Sequence, residues 1–392
     1  MAFATTKSRV VYLTEETTQG VAVAPTLGSQ AVAILSDGFE LNGEKELVER
    51  TVLTSSISKQ IPKTGIKTAT GSIGIEWKAH GTAGSQTEAS LLYKSALGSV
   101  KTIATTTTTK AGNTASILEI EDADISKFAV GDIVLVKEAG KYHISPISAI
   151  DTTLGSATIT LVRAGASAFS DAVVIEKSTV YKGSNSGHPY LTVTSYLDDA
   201  LKIQSAGHLV ASMALENFSV GQIPTINFAL NGITYEETLA PSGLTASYDT
   251  ATPPIALGAC IYLDGVAIPV TELGFSVENT VGRITSTCSE NGIISTRVTE
   301  RAVTGSLTTY QETTSVGYYS KFNTNAEFSL FGFAGIPTGT AGEIKDLVAF
   351  FIPKCIITAK PIADADGIAT IAIEFSAGYS DTYATDVIVA SV

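Results

Sequence analysis

The sequence predicts a mainly-β protein: two tandem β-sandwich or β-barrel domains with one or two short helices, plus a small inserted β-barrel module. Three observations predict this class. Apolar and polar residues alternate with period 2 along the whole chain, and helical periodicity is scarce. In addition, one strand start is written twice, as KTATGSIGIEW at 67–77 and as RAVTGSLTTY at 301–310.

The strand at 72–77 shows the alternation plainly, with Ile73, Ile75 and Trp77 on one face and Ser72, Gly74 and Glu76 on the other. SILEIED, DIVLVKE, SATITLVR, PYLTVTSYL, TINFALN, CIYLDG and ATIAIEFSA repeat it. Turn chemistry separates the strands: LNGI, LDGV and DADGIA carry Asn-Gly or Asp-Gly pairs suited to two-residue hairpins. The clearest helix is TEASLLYKSALGS at 87–99, where Leu91, Leu92 and Ala96 share a side and Gly98 is a stop. SVGYYSKFNTNAEF at 315–328 is the second candidate.

Composition shifts at a Thr-rich bridge (101–115), a Gly/Ser-rich one (181–188) and the soft segment APSGLTASYDTATPP. The boundaries that follow are a discontinuous first domain (1–100 and 187–240), an inserted module (101–186), a linker (241–255) and a second domain (256–392). The echo between the two domains spans GFELNGEKELVERTVLTSSISKQIPKTGIKTATGSI and GFSVENTVGRITSTCSENGIISTRVTERAVTGSL. Aligned on Gly-Phe, Phe39 to Gly71 is 71 − 39 = 32 positions and Phe275 to Gly305 is 305 − 275 = 30. Gly71, Ser72 and Ile73, with Gly305, Ser306 and Leu307, mark the same strand start twice. A further match is expected between 208–232 and 346–378.

The charge balance, 25 basic minus 38 acidic or −13, argues against gripping nucleic acid through its phosphates, which needs a basic face. It does not exclude a surface that must let DNA pass without adhering, where negative charge would help. Cys260, Cys288 and Cys355 are odd in number and form no CxxC pair, so they read as reduced core thiols. No secretory signal is visible at the N-terminus and the longest apolar runs fall far short of a membrane span, so no membrane partner is expected. His80, His143, His188 and His208 are isolated, and DADG at 364–367 reads as a hairpin turn rather than a calcium loop. No P-loop, GxSxG elbow or metal-ligand spacing appears, so no catalytic or metal residue, no cofactor and no enzyme activity is assigned.

VVYLTEETTQGVAVAP, then DGFELNGEKELVERTVL, then KTGIKTATGSIGIEW, then SLLYKSALGS form an ordered set: entry strand, long polar loop, Gly-Ser-Ile strand, short helix. This set resembles the tail tube (major tail) proteins of long-tailed bacteriophages. The resemblance covers about 8–100 and 187–240 and returns from about 256 onward. It implies tube-type β-sandwich domains that join side by side into six-domain rings, stacked into a hollow tube around the DNA path. A chain with two such domains would close a ring with three copies, a trimer of pseudo-sixfold symmetry. Ring closure also removes open sheet edges.

The implied partners are further copies of the chain, the tape measure protein and the tail terminator or distal tail proteins. Genomic DNA would pass through the lumen without specific binding. The implied location is the virion tail, assembled in the host bacterial cytoplasm. By the same resemblance, the loops before each Gly-Ser strand reach the neighbouring ring. The first, 55–69, carries Lys59, Lys63 and Lys67, and the second, 289–303, carries Arg297 and Arg301. Two other readings stay open: a distal ring or adhesion protein whose module binds a host surface, and a β-rich carbohydrate-active enzyme, for which no residue speaks.

Overall fold

Alternation in the sequence becomes, among the described residues, 24 β-strands and two α-helices in the computed structural model. It describes all residues except 1–5, 27, 29–30, 53–54, 139, 199, 241–245, 258, 313–315 and 338–343. Residues 241–245 of the expected linker therefore lie outside the described residues.

The first strands are β1 (Arg9–Glu15), β2 (Phe39–Val48), β3 (Lys63–Glu76) and β4 (Gly98–Ile103), with α1 (Ser90–Leu97) before β4. Next come β5 (Thr107–Thr108), β6 (Ile117–Glu119), β7 (Ile133–Glu138), β8 (Lys141–Asp151), β9 (Thr158–Leu161), β10 (Val174–Ile175) and β11 (Ser178–Gly183). The chain continues through β12 (Leu191–Leu197), β13 (Leu201–Ser219), β14 (Thr225–Gly232) and β15 (Thr234–Leu239). Then follow β16 (Cys260–Leu263), β17 (Val266–Ile268), β18 (Val270–Thr285) and β19 (Ile293–Tyr310). After α2 (Val316–Thr324) come β20 (Phe328–Pro337), β21 (Ile344–Ala359), β22 (Ile362–Ala365), β23 (Ile368–Ala377) and β24 (Ile388–Ser391).

One antiparallel sheet runs β2–β3–β14–β13–β18–β19–β23, and β22 with the end of β21 lies beyond β23. The pattern hairpin, third strand, fourth strand thus occurs twice, joined where β13 pairs with β18. The long strands β13 and β21 then leave this sheet. The first half of β13 pairs with β12 and β15, and that of β21 with β20 and β24. β13 changes partners between His208 and Leu209 and β21 at Cys355, and each carries a bulge just past that point, between Val210 and Ser212 and between Ile357 and Ala359.

Between the layers lies a core that both halves fill. Trp77 and Phe218 from the first half, 6.2 Å apart, meet Phe350 from the second at ring separations of 6.5 and 6.4 Å, and Phe275 lies 5.2 Å from Phe350. α1 closes this core with Leu92, Tyr93, Ala96 and Leu97. It ends where the sequence puts its stop: Gly98 adopts φ 93° and its N–H caps Lys94 O. Described residues of the expected linker are tied down, with Ser247 O accepting from Ala31 N at 2.8 Å and Glu88 Oε2 from Asp249 N at 3.2 Å.

The strand pairing corrects the Gly-Phe alignment. Gly305 lies opposite Phe275, whereas Gly71 lies opposite Leu41, not Phe39. Leu41 is thus the counterpart of Phe275, and 71 − 41 = 30 removes the two-residue discrepancy. Likewise Ser212 faces Ala229 and Ala359 faces Glu374, so the stretch matching 212–216 is 359–363, and the LVA echo at 347–349 is not its counterpart.

Strands β5–β10–β7–β8–β9–β6 form a separate set, whose ends approach where Lys110 N donates to Glu119 O at 2.8 Å. It has its own core around Leu118, Ile120, Val134, Val136 and Ile159. Its flanks, β4 and β11, pair with each other, and β11 also pairs with β24. The module does not simply project outward. Ile133, Leu135 and Ile144 share a buried cluster with Phe331, Phe333 and Phe351 of the C-terminal half, and the Arg163 guanidinium stacks 4.6 Å from the Tyr262 ring. Of the cysteines, Cys355 is buried, Cys260 is half-buried and Cys288 is exposed, so only the first is a core thiol.

Candidate functional site

Period-2 alternation gives the long sheet two chemically different faces. Toward the core point Ile73, Phe228, Met213, Phe275, Leu307 and Ile373, all buried. The opposite face carries small polar residues, including Thr70, Ser72, Asn227, Ser212, Ser276, Thr304, Ser306 and Ser376. Across the joint between the halves, this face is a shallow concavity of about 550 Å³, lined by Ala214, Gly274, Ser276, Thr304, Ser306 and Glu374 among others.

The charges on this face have one sign. Glu40, Glu44 and Glu76 lie at its first edge, Glu216, Glu272, Glu278 and Glu300 around the joint, and Glu374 on β23. Among the described residues none of these eight carboxylates forms an ion pair; Lys45, Lys67 and Arg301 alternate to the other side of their strands, and of the eight Glu300 alone shares a cleft with arginines, Arg297 and Arg301. Glu44 accepts only a hydroxyl hydrogen bond, from Thr70 at 3.3 Å, and Glu40 an amide hydrogen bond from Asn42 at 2.5 Å. Such a surface repels phosphate-bearing polymers and offers them no aromatic platform. Sequence reasoning did not assign these residues, although six of them (all but Glu44 and Glu300) adjoin an apolar residue of the core-facing parity and were legible that way.

The Thr-Gly-Ser repeats sit at the centre of the sheet. Gly71 lies between Leu41 and Leu230, and Gly305 between Phe275 and Phe375. The glycine leaves room on the core face for the large side chains of both neighbouring strands. Ser72 and Ser306 point to the polar face, and Ile73 and Leu307 to the core.

Two hairpin arms extend past the sheet. In the first, Lys63 and Lys67 lie in β3 rather than in a loop, paired with Val48 and Lys45, and all of residues 44–48 are exposed. Lys59 is exposed near the tip, 3.6 Å from Glu49. Leu47, Val48, Ile57 and Ile61 are exposed on the same arm, with Ile57 and Ile61 more than four-fifths so. The second arm, 280–298, rests on the first half: Thr296 N donates to Gln19 Oε1 at 3.0 Å, and Tyr190 Oη donates to Thr296 O at 2.9 Å. Gln19 is delivered there by the Glu-Glu-Thr-Thr turn. Buried Glu16 fixes that turn by accepting from Gly20 N, Thr192 Oγ1 and Gly207 N at 2.7–2.8 Å.

The two arginines differ. Arg297 is exposed and borders a cleft with Ser184, Asn185 and His188. Arg301 is not loop charge but part of β19, on the core-facing parity of Val303. Its Nε donates to Asp386 at 2.8 Å and its Nη1 to Ser184 O at 3.0 Å, and its side chain is 9% exposed. Its charge is therefore engaged within the chain. Asp364-Ala-Asp-Gly forms the β22–β23 turn, with φ 53° at Asp366 and 83° at Gly367, and Gly367 N bonds Asp364 Oδ1 at 3.0 Å.

No curated protein matches this chain. The sequence profile described as phage tail tube protein matches residues 6–377, nearly its whole length.

Proposed function

Since the chain belongs to the phage tail tube protein family, and so is a structural tail component that self-assembles into a tube, we propose that its concave acidic sheet face lines the channel through which the genome passes. The observation that carries this reading is the set of eight glutamates without ion pairs on the polar face of the long sheet, one of which, Glu374, lines the shallow concavity at its joint. A polyanion moving along that face meets uniform repulsion and no adhesive site. The twice-occurring strand pattern supports a ring of three chains and six tube domains, stacked along the tail axis.

In this assembly Lys59, Lys63 and Lys67 on the first arm, with Arg297 on the second, meet the adjoining ring. The apolar Ile57 and Ile61 supply the buried area that exposed ion pairs alone do not. Its partners on this reading are the tape measure protein and the tail terminator or distal tail proteins, and the tube forms in the host bacterial cytoplasm. Electron microscopy of the purified protein, with its mass in solution, tests the reading. Rings of three chains or tubes are expected, and monomers at every salt concentration would count against it.

A further inference from the structure

We propose that β22 of one chain adds to the open edge of β2 of a second copy, in the register by which β13 meets β18 inside the chain. The proposal rests on the tube reading above and names the joint from which the ring is built.

The register follows from strand pairing alone. Anchored on Gly71 and Gly305, β2 corresponds to β18 and Leu41 to Phe275. On the other side, Ile226 faces Leu215 and its counterpart Ile371 faces Ile362, so Ile362 corresponds to Leu215. Inside the chain the joint pairs Leu215 with Phe275, Ala214 with Ser276 and Ser212 with Glu278. Carried to the two ends of the sheet, it pairs Ile362 with Leu41, Pro361 with Asn42 and Ala359 with Glu44 of the second copy.

Both edges are open. Among the described residues β22 pairs only with β23, and β2 only with β3. Leu215 is 3% exposed at the internal joint, whereas Ile362 at the equivalent place is 59% exposed. An uncovered isoleucine on an unpaired edge is the residue a further strand would bury. Pro361 does not block the addition. Its carbonyl accepts from Ala372 N at 3.0 Å, so by strand alternation its missing N–H also faces β23. The N–H and C=O groups of Lys360 and Ile362 then face the open edge. Two unlike, complementary edges at opposite ends of one sheet make a head-to-tail contact, which closes into a ring when the rotation allows.

The test is cysteine cross-linking in a Cys288→Ser background under mild oxidation. Pro361 and Asn42 form a non-hydrogen-bonded pair, with Cα atoms about 4.5 Å apart, close enough for a disulfide. Asn42→Cys with Pro361→Cys should give covalent dimers and trimers on non-reducing gels, at least tenfold more than the slipped pair Glu40→Cys with Pro361→Cys. Glu44→Cys with Ala359→Cys tests the same register and keeps the proline. Equal or better linking by the slipped pair, or links only within one chain, would overturn the proposal. Tubes whose chains lack this link reject the register and leave the tube reading intact; linked trimers that never stack support the register and reject the tube.

Discussion

A methyl group placed on Gly305 would sit 2.5 Å from Phe375 Cζ and 2.6 Å from Gly274 O; on Gly71 the nearest atom is Glu40 O at 2.9 Å. The Thr-Gly-Ser repeat is thus a packing device: its glycine faces the core and its serine the polar face of the sheet. Gly305→Ala should lower stability by about 2–3 kcal/mol and Gly71→Ala by about 1–2, whereas Ser306→Ala on the polar face should stay within about 0.5. Chemical denaturation of the unassembled chain checks this, and equal effects of Gly305→Ala and Ser306→Ala would contradict it.

Two histidines add a pH dependence. Burial pushes His208 down to about 4, with its Nε2 against Ser205 Oγ at 2.6 Å. Burial and then Arg163 push His143 to about 4 as well. A folded-state value below the unfolded one, about 6.5, means that the unfolded chain binds more protons as pH falls. Their contribution is complete above pH 6.5 and is lost as pH drops toward 4. Each should remove about 2 kcal/mol between pH 7 and pH 5, and replacing either with Gln should flatten that part of the thermal-stability profile. An unchanged slope would contradict the assignment. The sequence showed only that these histidines were isolated, because burial of a lone side chain depends on strands far away in the chain.

Among the elements, strands, α1 and the Asp-Gly hairpin turns were legible because each is set by local pattern and local turn chemistry. The Asn-Gly of LNGI is no hairpin turn, since Asn231 and Gly232 lie in β14 and the chain bends at Ile233 into β15, which pairs with β13. Register was less so. Gly-Phe matched in letters at Phe39 and Phe275, but pairing across the hairpin makes Leu41 the partner of Phe275, a long-range fact that no local signal carries. Arg301 was misread as free charge although its parity with Val303 already placed it on the core-facing side. The module's docking was equally hidden, since Ile133, Leu135 and Ile144 belong to strands that read as ordinary alternation. Deleting residues 104–177 and joining β4 to β11 by a turn should expose Phe331, Phe333 and Phe351. Losing even two of the three aliphatic covers costs roughly 3–6 kcal/mol. A lower melting temperature and binding of an apolar dye are expected; an unchanged melting temperature without dye binding would show that the module is a mere appendage.

For the whole molecule, sign and placement of charge matter more than their sum. A formal −13 spread evenly would say little; gathering eight glutamates on one face of the long sheet, with Lys45, Lys67 and Arg301 of the same strands on the other, gives the sheet two electrostatically different sides. The arms, the open edges of β2 and β22 and the tied-down second arm then describe one unit of a repeating contact whose internal copy is already made. A density map of the assembled tube at side-chain resolution tests this most directly. The account predicts that Glu40, Glu216, Glu278 and Glu374 face the channel, with the module on the outer wall. A map with that face turned outward, or with the layer of β1, β12 and β15 lining the channel, would contradict it.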